Sequence, residues 1–431
     1  MEIIKYDGKN YKEIIERSQN DVNNILPTVK EILNNVKLNG DSAINKYCEK
    51  FDNVSLNEFK VTNEEIKESY NKIDDKLLKA IKQAISNIEK FHRLQMPKEW
   101  CKEINKGVMT GLIIRPIENV GCYIPGGKAI YPSTVLMTIV PAKIAGVSRV
   151  ICCSPPNSNG KIADVILVAA DLAGADEIYK IGGAQAIGAM TYGTETIEKV
   201  DKIVGPGNIF VTGAKKLVYG EVDIEFEAGP SEILIIADKT ANVEYISYDI
   251  LSQAEHDPNA SCYLVTDDEK IAIEVKKKIY EIIKNTERRK IIEESLSKYG
   301  KIVLTNTLKE SVDLSNKYAP EHLIIMTKNN EEVLKNINNA ASIFLGEYSP
   351  VAAGDYGSGT NHVLPTGASG RMYSGLSTES FLKKPTVQKI TYNGLKNLSE
   401  TIIPIAEHEG FYAHADSVKI RLKKNKKADK E

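Results

Sequence analysis

The sequence predicts an α/β protein made of two related, doubly wound parallel-sheet domains, together with a helical N-terminal unit and a small C-terminal unit. Two observations carry this prediction. From about residue 116, strand and helix patterns alternate in units of roughly thirty residues, the length of a βαβ step. The alternation restarts near residue 232, so a second series follows the first. Such alternation builds parallel sheets covered on both faces, here incomplete Rossmann-like domains.

The predicted elements follow in chain order. Residues 1–115 are expected to be mostly helical, because apolar residues recur at helical spacing in 25–40 and 77–94. After about residue 377 the alternation fades into a short helical tail. The strand-forming stretches of the first series are 118–127, 147–156, 176–183 and 200–207, and those of the second series are 232–238, 261–268, 301–307, 321–327 and 341–346.

We expect four units along the chain. An N-terminal segment, 1–22, precedes a large α/β domain formed by 23–121 and 232–376. A second Rossmann-like domain, 122–231, is inserted into the first, and a small C-terminal unit takes 377–431. This small unit is too short to hold a core of its own, so it must dock on another part of the assembly.

Composition excludes several classes of function. The chain has 431 residues with a formal net charge of −2, so its overall charge balance predicts no nucleic-acid or membrane partner. Apolar stretches are far shorter than a bilayer span, and the N-terminus has no signal-peptide pattern. The six cysteines are scattered without CxxC spacing, which is typical of reduced thiols in a cytoplasmic protein.

Glycine-rich turns end three strands of the first series, at residues 123–127, 182–185 and 205–208. Ligands of open parallel sheets bind beyond the carboxyl ends of strands, where glycine lets backbone N–H groups approach a phosphate. No GxGxxG is followed by an acidic residue about twenty positions later, so the usual dinucleotide fingerprint is missing. Nucleotide binding and simple tight turns both remain open on this pattern.

Five of the six histidines lie in the C-terminal part of the chain, in acidic or glycine-rich loops. Gln253 and His256 are three residues apart, so on a helix they share a face, and Pro258 is expected to stop that helix. With Asp355 and a late histidine they form a nitrogen and oxygen set suited to Zn²⁺. Structural histidines remain the alternative.

The pair Glu321–His322 opens a predicted strand after a proline. A neutral imidazole is a good general base near neutral pH, and a nearby carboxylate can activate water. A surface pair at an element boundary explains the same residues equally well.

Taken together, eight stretches in order resemble the histidinol dehydrogenase family. The resemblance implies oxidation of L-histidinol to L-histidine through histidinaldehyde, in two NAD-dependent hydride transfers, with one Zn²⁺ per active site and an intertwined homodimer. The matching stretches are VGCYIPGGKAIYPSTVLM, KIGGAQAIGAM, VDKIVGPGNIFVTGAKK, AGPSEILIIAD, SQAEHDPNA, APEHL, AAGDYGSGTNHVLPT and EGFYAHADSVKIR.

The same resemblance implies a role for each matching residue. Glu321 and His322 would be the acid/base pair, and Tyr123, Gln185 and Asn208 the NAD contacts. The implied zinc ligands are Gln253, His256, Asp355 and His414. The implied substrate contacts are Ser231, Gln253, His256, His322, Asp355, Glu409 and His414, with Glu409 and His414 delivered by the partner subunit.

Three other functions compete with this interpretation. A zinc hydrolase would use the same metal set without a cofactor, a relative would oxidise another small alcohol, and a zinc-binding protein without catalysis would not need Glu321–His322. Within the dehydrogenase interpretation, a thiohemiacetal on Cys122 is the rival second step. We disfavour it because no basic residue adjacent to Cys122 would lower its pKa.

Overall fold

The computed structural model describes residues 1–15, 22–126, 130–226 and 229–424. Gly127, the last residue of one predicted glycine turn, lies outside these ranges. The strands are β1 (Glu2–Lys5), β2 (Trp100–Asn105), β3 (Val108–Leu112), β4 (Arg115–Pro116), β5 (Asn119–Tyr123), β6 (Arg149–Ser154), β7 (Glu177–Lys180), β8 (Lys202–Val204), β9 (Asp223–Ile224), β10 (Glu232–Ala237), β11 (Ser261–Thr266), β12 (Gly300–Leu304), β13 (His322–Met326), β14 (Ser342–Leu345), β15 (Leu382–Lys383) and β16 (Thr386–Ile390). The α-helices are α1 (Tyr11–Ile14), α2 (Val22–Asp52), α3 (Asn63–Tyr70), α4 (Asp75–Leu94), α5 (Pro132–Ala145), α6 (Asp164–Ala173), α7 (Gly183–Tyr192), α8 (Ile209–Val218), α9 (Val243–Ala254), α10 (Glu269–Ile282), α11 (Arg289–Tyr299), α12 (Leu308–Tyr318), α13 (Asn330–Leu334), α14 (Val351–Tyr356), α15 (Tyr392–His408) and α16 (Tyr412–Lys424).

Two parallel sheets form the frame of the first unit, which comprises 1–95 and 117–381. One sheet has five strands in the order β7-β6-β5-β8-β9, and the other has six in the order β1-β12-β11-β10-β13-β14. Counted from the first strand of each series, both follow the order 3-2-1-4-5, with β1 added at one edge of the larger sheet. The prediction of two related, doubly wound α/β domains is therefore confirmed.

Each sheet is buried because its strands are apolar on both faces. In β10 all six residues are buried, as they are in β11. One face of the six-stranded sheet packs against α9, α10 and α11, and the other packs against α12. The five-stranded sheet has α7 and α8 in the core of one face and packs against α5 on the other. Helices on both faces explain why the strands lack polar alternation.

The second unit consists of residues 96–116 and 382–431. Within it, β2, β3 and β16 form an antiparallel sheet, and β4 pairs with β15. The helices α15 and α16 pack against each other. The N-terminal part is mostly helical, as expected, and the chain ends in helices, but each of these regions also contains short strands. Residues 100–112 form the β2–β3 hairpin. Strand β16, from the C-terminal part of the chain, pairs with β3 and completes a three-stranded sheet.

Two further contacts differ from the sequence-based organisation. The apolar face of α2, including Val29, Leu33 and Val36, packs against the helices of the five-stranded sheet rather than against the larger one. Strand β1, from the expected N-terminal segment, pairs with β12. The domain boundaries given above remain a prediction. Among the described residues, no helix combines the length and apolarity required for a bilayer crossing.

Candidate active site

His322 is the first residue of β13, and its ring is oriented by the neighbouring strand β10. Its Nδ1 lies 2.9 Å from the backbone carbonyl oxygen of Glu232. A carbonyl only accepts hydrogen bonds, so Nδ1 carries the hydrogen and Nε2 carries the lone pair. That Nε2 atom is buried and has no hydrogen-bond partner among the described residues. Burial lowers the pKa of His322 to about 4, which keeps the imidazole neutral and its Nε2 lone pair unprotonated at neutral pH.

Glu321 lies beside this imidazole and is also buried. Its Oε2 accepts a hydrogen bond from the backbone N–H of Glu232 at 2.7 Å and lies 3.5 Å from Nδ1 of His322. Desolvation raises the pKa of Glu321 well above its ordinary value, and the Glu232 and Asp355 carboxylates add to the rise. The side chain is therefore a stronger base, once ionised, than a carboxylate in water.

Asp355 and His256 approach the same imidazole from two other segments. Oδ1 of Asp355, in α14, lies 4.0 Å from Nε2 of His322. Burial raises the pKa of Asp355 to about 7. His256 is close enough to lower the pKa of His322 by charge repulsion. The pKa of His256 is itself lowered, chiefly by desolvation, although the residue is exposed in the single chain.

Gln253 and His256 are neighbours, but they do not share a helix. Helix α9 ends at Ala254, before Pro258, and His256 lies in the following turn with its backbone N–H bonded to the carbonyl oxygen of Gln253 at 3.2 Å. The expectation that Pro258 stops the helix is therefore wrong. Gln253 is buried in the last turn of α9. The turn therefore places both residues at the C-terminal end of α9, although His256 lies outside the helix.

The donor set in the first unit fits a zinc ion in its chemistry but is incomplete. An amide oxygen from Gln253, an imidazole nitrogen from His256 and a carboxylate oxygen from Asp355 are ligands that Zn²⁺ accepts. The Asp355 carboxylate is largely shielded from water, and this desolvation raises its pKa to about 7, as expected for a carboxylate without a neighbouring cation among the described residues. In the described parts of the chain, no three His, Cys, Asp or Glu side chains are grouped to hold a metal.

The remaining predicted substrate contacts are divided between the units. Ser231 immediately precedes β10, and its carbonyl oxygen accepts a hydrogen bond from the N–H of Ser261. Glu409 caps the C-terminus of α15 in the second unit, and His414 lies in the first turn of α16. Both of these side chains are exposed in the single chain.

The three predicted NAD contacts line one cavity of about 620 Å³. Tyr123 ends β5, Gln185 lies in the first turn of α7, and Asn208 is the N-cap residue of α8. The Tyr123 hydroxyl oxygen accepts a hydrogen bond from the N–H of Gly183 at 3.0 Å. Oε1 of Gln185 is buried without a hydrogen-bond partner among the described residues. The cavity therefore contains unused hydrogen-bonding capacity at the carboxyl edge of the sheet.

The two sites lie at opposite ends of the strands in their sheets. The cavity follows the carboxyl ends of its strands, as the sequence predicts. Glu321 and His322, by contrast, lie at the amino end of β13, and Glu232 at the amino end of β10. This position agrees with the sequence, in which Glu321 and His322 open a predicted strand.

Comparison with known proteins decides the family. The family model described as histidinol dehydrogenase matches residues 15–422. The chain is 59% identical over 423 residues to a histidinol dehydrogenase of Methanothermobacter thermautotrophicus, with 98% of this chain and 99% of the relative covered. A relative of that name from Clostridium acetobutylicum is 48% identical, with 97% of each covered.

A solved structure agrees with these sequence matches. The crystal structure of histidinol dehydrogenase from Elizabethkingia anophelis aligns with a TM-score of 0.94 at 42% identity, covering 98% of each chain. The chain belongs to the histidinol dehydrogenase family. The protein is thus an oxidoreductase of histidine biosynthesis that oxidises histidinol, and the hydrolase alternative is not favoured.

The structure adds Glu232, which sequence patterns did not single out, and it gives His362 defined hydrogen-bond partners. The backbone of Glu232 orients both Glu321 and His322, yet nothing in its apolar strand pattern marks it. His362 places Nδ1 3.2 Å from the carbonyl oxygen of Asp355 and Nε2 3.3 Å from the Thr134 hydroxyl of α5. It thereby connects the Asp355 segment to the smaller sheet. Its position after a glycine-rich loop was the available signal.

Proposed function

We propose that this protein oxidises L-histidinol to L-histidine through histidinaldehyde, using two NAD⁺ and one Zn²⁺ per active site. One observation carries the proposal: the buried Nε2 of His322 is a fixed base with no hydrogen-bond partner among the described residues, with Glu321 beside it and Asp355 4.0 Å away. A zinc hydrolase needs a water-activating carboxylate but not a second base held in one tautomer.

His322 removes the hydroxyl proton of histidinol in the first oxidation. Its low pKa keeps Nε2 unprotonated at neutral pH, and the Glu232 carbonyl stabilises the hydrogen on Nδ1 while the proton arrives. NAD⁺, when bound, supplies the hydride acceptor for both oxidations. The aldehyde remains in the site for the second step.

Glu321 activates the water that adds to the aldehyde. Its raised pKa makes the ionised Glu321 carboxylate a stronger base than a carboxylate in water. The hydrate then loses a proton and a hydride, and the acid is formed. Cys122 is a poor alternative nucleophile, because it is fully buried and desolvation raises its pKa well above the usual value.

Gln253, His256 and Asp355 would hold the zinc, with His414 of a second copy completing the set. Zinc, when bound, orients the substrate and supplies Lewis-acid assistance. Ser231 and Glu409 would contact the substrate, and Tyr123, Gln185 and Asn208 would contact NAD. Two features support a homodimer with shared sites: the donor set is incomplete among the described residues of the first unit, and Glu409 and His414 are exposed in the single chain.

One assay tests this proposal directly. Purified protein with L-histidinol and NAD⁺ should form two NADH per histidine. Dialysis against a chelator should abolish the reaction, and added Zn²⁺ should restore it, because the metal orients the substrate. His256→Asn should lose zinc, measured by metal analysis, while unfolding at nearly the wild-type temperature. Full turnover by protein shown to be metal-free would contradict the zinc assignment.

A further inference from the structure

One wall of the nucleotide cavity comes from outside the five-stranded sheet. Asp52 is the last residue of α2, and it lines the cavity together with Phe51. The Oδ2 atom of Asp52 is buried and has no hydrogen-bond partner within the described part of the chain. Buried polar atoms in folded proteins are nearly always paired, so an unpaired carboxylate oxygen in a cavity wall calls for a ligand donor.

Among the described residues, no ion pair balances the charge of Asp52. Desolvation raises its pKa to about 6, so the group is ionised at neutral pH and above. The other charged side chain of the lining, Lys161, is exposed and lies within range of Glu65 and Asp164. An ionised carboxylate only accepts hydrogen bonds. Its partner must therefore carry donors, such as hydroxyl groups, and a phosphate at this position would be repelled.

The sequence of the smaller sheet shows why such a carboxylate is needed. In ordinary dinucleotide domains, an acidic residue about twenty positions after the first turn binds the ribose 2′-hydroxyl. Here no acidic residue occurs between Glu118 and Asp164. After β6 the chain continues with Pro155 and Pro156, which line the cavity as apolar groups. Among the described residues that line the cavity, those from the five-stranded sheet and its loops thus include no carboxylate.

We propose that Asp52, carried by α2, binds the adenosine ribose hydroxyls of NAD and excludes the 2′-phosphate of NADP. The inference rests on the proposed function, because that function places NAD in this cavity. Apolar side chains of Phe51, Pro155 and Phe210 line the same cavity and suit an adenine ring. Asp52 of helix α2 would thereby select NAD over NADP, as the acidic residue of ordinary dinucleotide domains does.

Equilibrium binding tests the proposal without relying on turnover. Dissociation constants for NAD⁺, NADP⁺ and NAD⁺ lacking the adenosine 2′-hydroxyl are measured by calorimetry for wild type, Asp52→Ala and Asp52→Asn. Loss of a hydrogen bond to a charged group should weaken NAD⁺ binding by roughly ten- to a hundredfold in Asp52→Ala. NADP⁺ binding should weaken far less or improve, and the 2′-deoxy analogue should bind wild type and variant more equally.

Controls separate this role from a structural one. Glu49→Gln changes an exposed carboxylate on the same helix and should leave all three constants unchanged. Equal losses for NAD⁺ and NADP⁺, accompanied by a lower unfolding temperature, would assign Asp52 to helix packing and overturn the proposal. Unchanged binding in Asp52→Ala, in protein that reduces NAD⁺ with histidinol, would overturn this inference alone. Wild type that neither binds nor reduces NAD⁺ would overturn both proposals.

Discussion

The same burial acts in opposite directions on two neighbouring side chains. Loss of water disfavours charge, so it lowers the pKa of His322 and raises the pKa of Glu321. The imidazole is then ready to accept a proton from a neutral alcohol. The carboxyl group becomes a strong base once it ionises. In the proposed mechanism, these two adjacent residues are the two bases for two chemically different oxidations.

The two bases should separate by reaction step. Glu321→Gln should spare the alcohol-to-aldehyde oxidation more than the aldehyde-to-acid oxidation, because only the second requires activated water. His322→Asn should slow both, typically by a factor of about 10² to 10⁴ for a general base. Single-turnover NADH formation from histidinol and from histidinaldehyde measures each step. Equal losses of Glu321→Gln in both half-reactions would contradict its assigned role.

Asp249 should make the protein's stability depend on pH. It is buried in α9, and desolvation raises its pKa to about 7 from an ordinary value of 3.8. The folded state therefore favours the protonated form, and stability is lost as pH rises from about 4 to about 7. Asp249→Asn removes that loss. The variant should exceed wild type at pH 8 by an amount on the order of a few kcal/mol and match it near pH 4.

Urea unfolding at several pH values measures this difference. Glu281→Gln is the matched control, because it removes an exposed carboxylate from the neighbouring helix α10. It should show no pH-dependent difference from wild type. An Asp249→Asn curve parallel to wild type across the pH range would mean that Asp249 is ionised in the folded protein without penalty.

Helix α8 is held to the sheet by a buried ion pair. Nζ of Lys215 lies 2.6 Å from Oε1 of Glu225 and 3.1 Å from the carbonyl oxygen of Gly205. The same Oε1 accepts a hydrogen bond from the N–H of Gly205, and both charged side chains are almost completely buried. The pair therefore fixes the loop that leads to Asn208 in the cavity.

Breaking this pair should cost more than removing it. Lys215→Met leaves the Glu225 carboxylate buried and unpaired, so the unfolding free energy should fall by roughly 3–5 kcal/mol. Adding Glu225→Gln should recover part of the loss, since no charge remains buried. Urea unfolding of the two single variants and the double variant gives the coupling energy. Strictly additive losses would show that the two side chains are energetically independent.

Element order was predictable where local pattern decides the structure. The strands β5 and β10 to β14 follow from apolar runs between turn residues, and their alternation with helices indicates parallel sheets. The β2–β3 hairpin was not predictable from these patterns. All six residues of β2 are exposed, so no buried face leaves a period-two pattern, and the strand is stabilised by pairing within a sheet completed by β16.

The two sheets share one strand order, but their candidate functional residues lie at opposite ends of the strands. Tyr123 is the last residue of a strand and Asn208 follows one, whereas His322 begins one. Sequence pattern identifies the strand boundary in each case. It does not specify which strand ends of one sheet lie near the other sheet. The hydrogen bond between His362 and Thr134 joins segments that pack on the two sheets, and its two residues are 228 positions apart. Long-range contacts of this kind leave no local signal.

The last prediction concerns the assembly, because the first unit supplies only part of the proposed zinc set. If His414 serves the partner's site, His256→Asn and His414→Asn each inactivate every site of their own homodimer. A mixed dimer then has one site with both defects and one with neither. Unfolding the two inactive variants together and refolding them should restore activity to about a quarter of wild type, by random pairing in a symmetric dimer. Each variant refolded alone remains inactive, and wild type treated in the same way is the control for refolding yield. If the refolded mixture stays inactive while wild type recovers, His414 completes the site of its own chain, and the shared-site assembly is wrong.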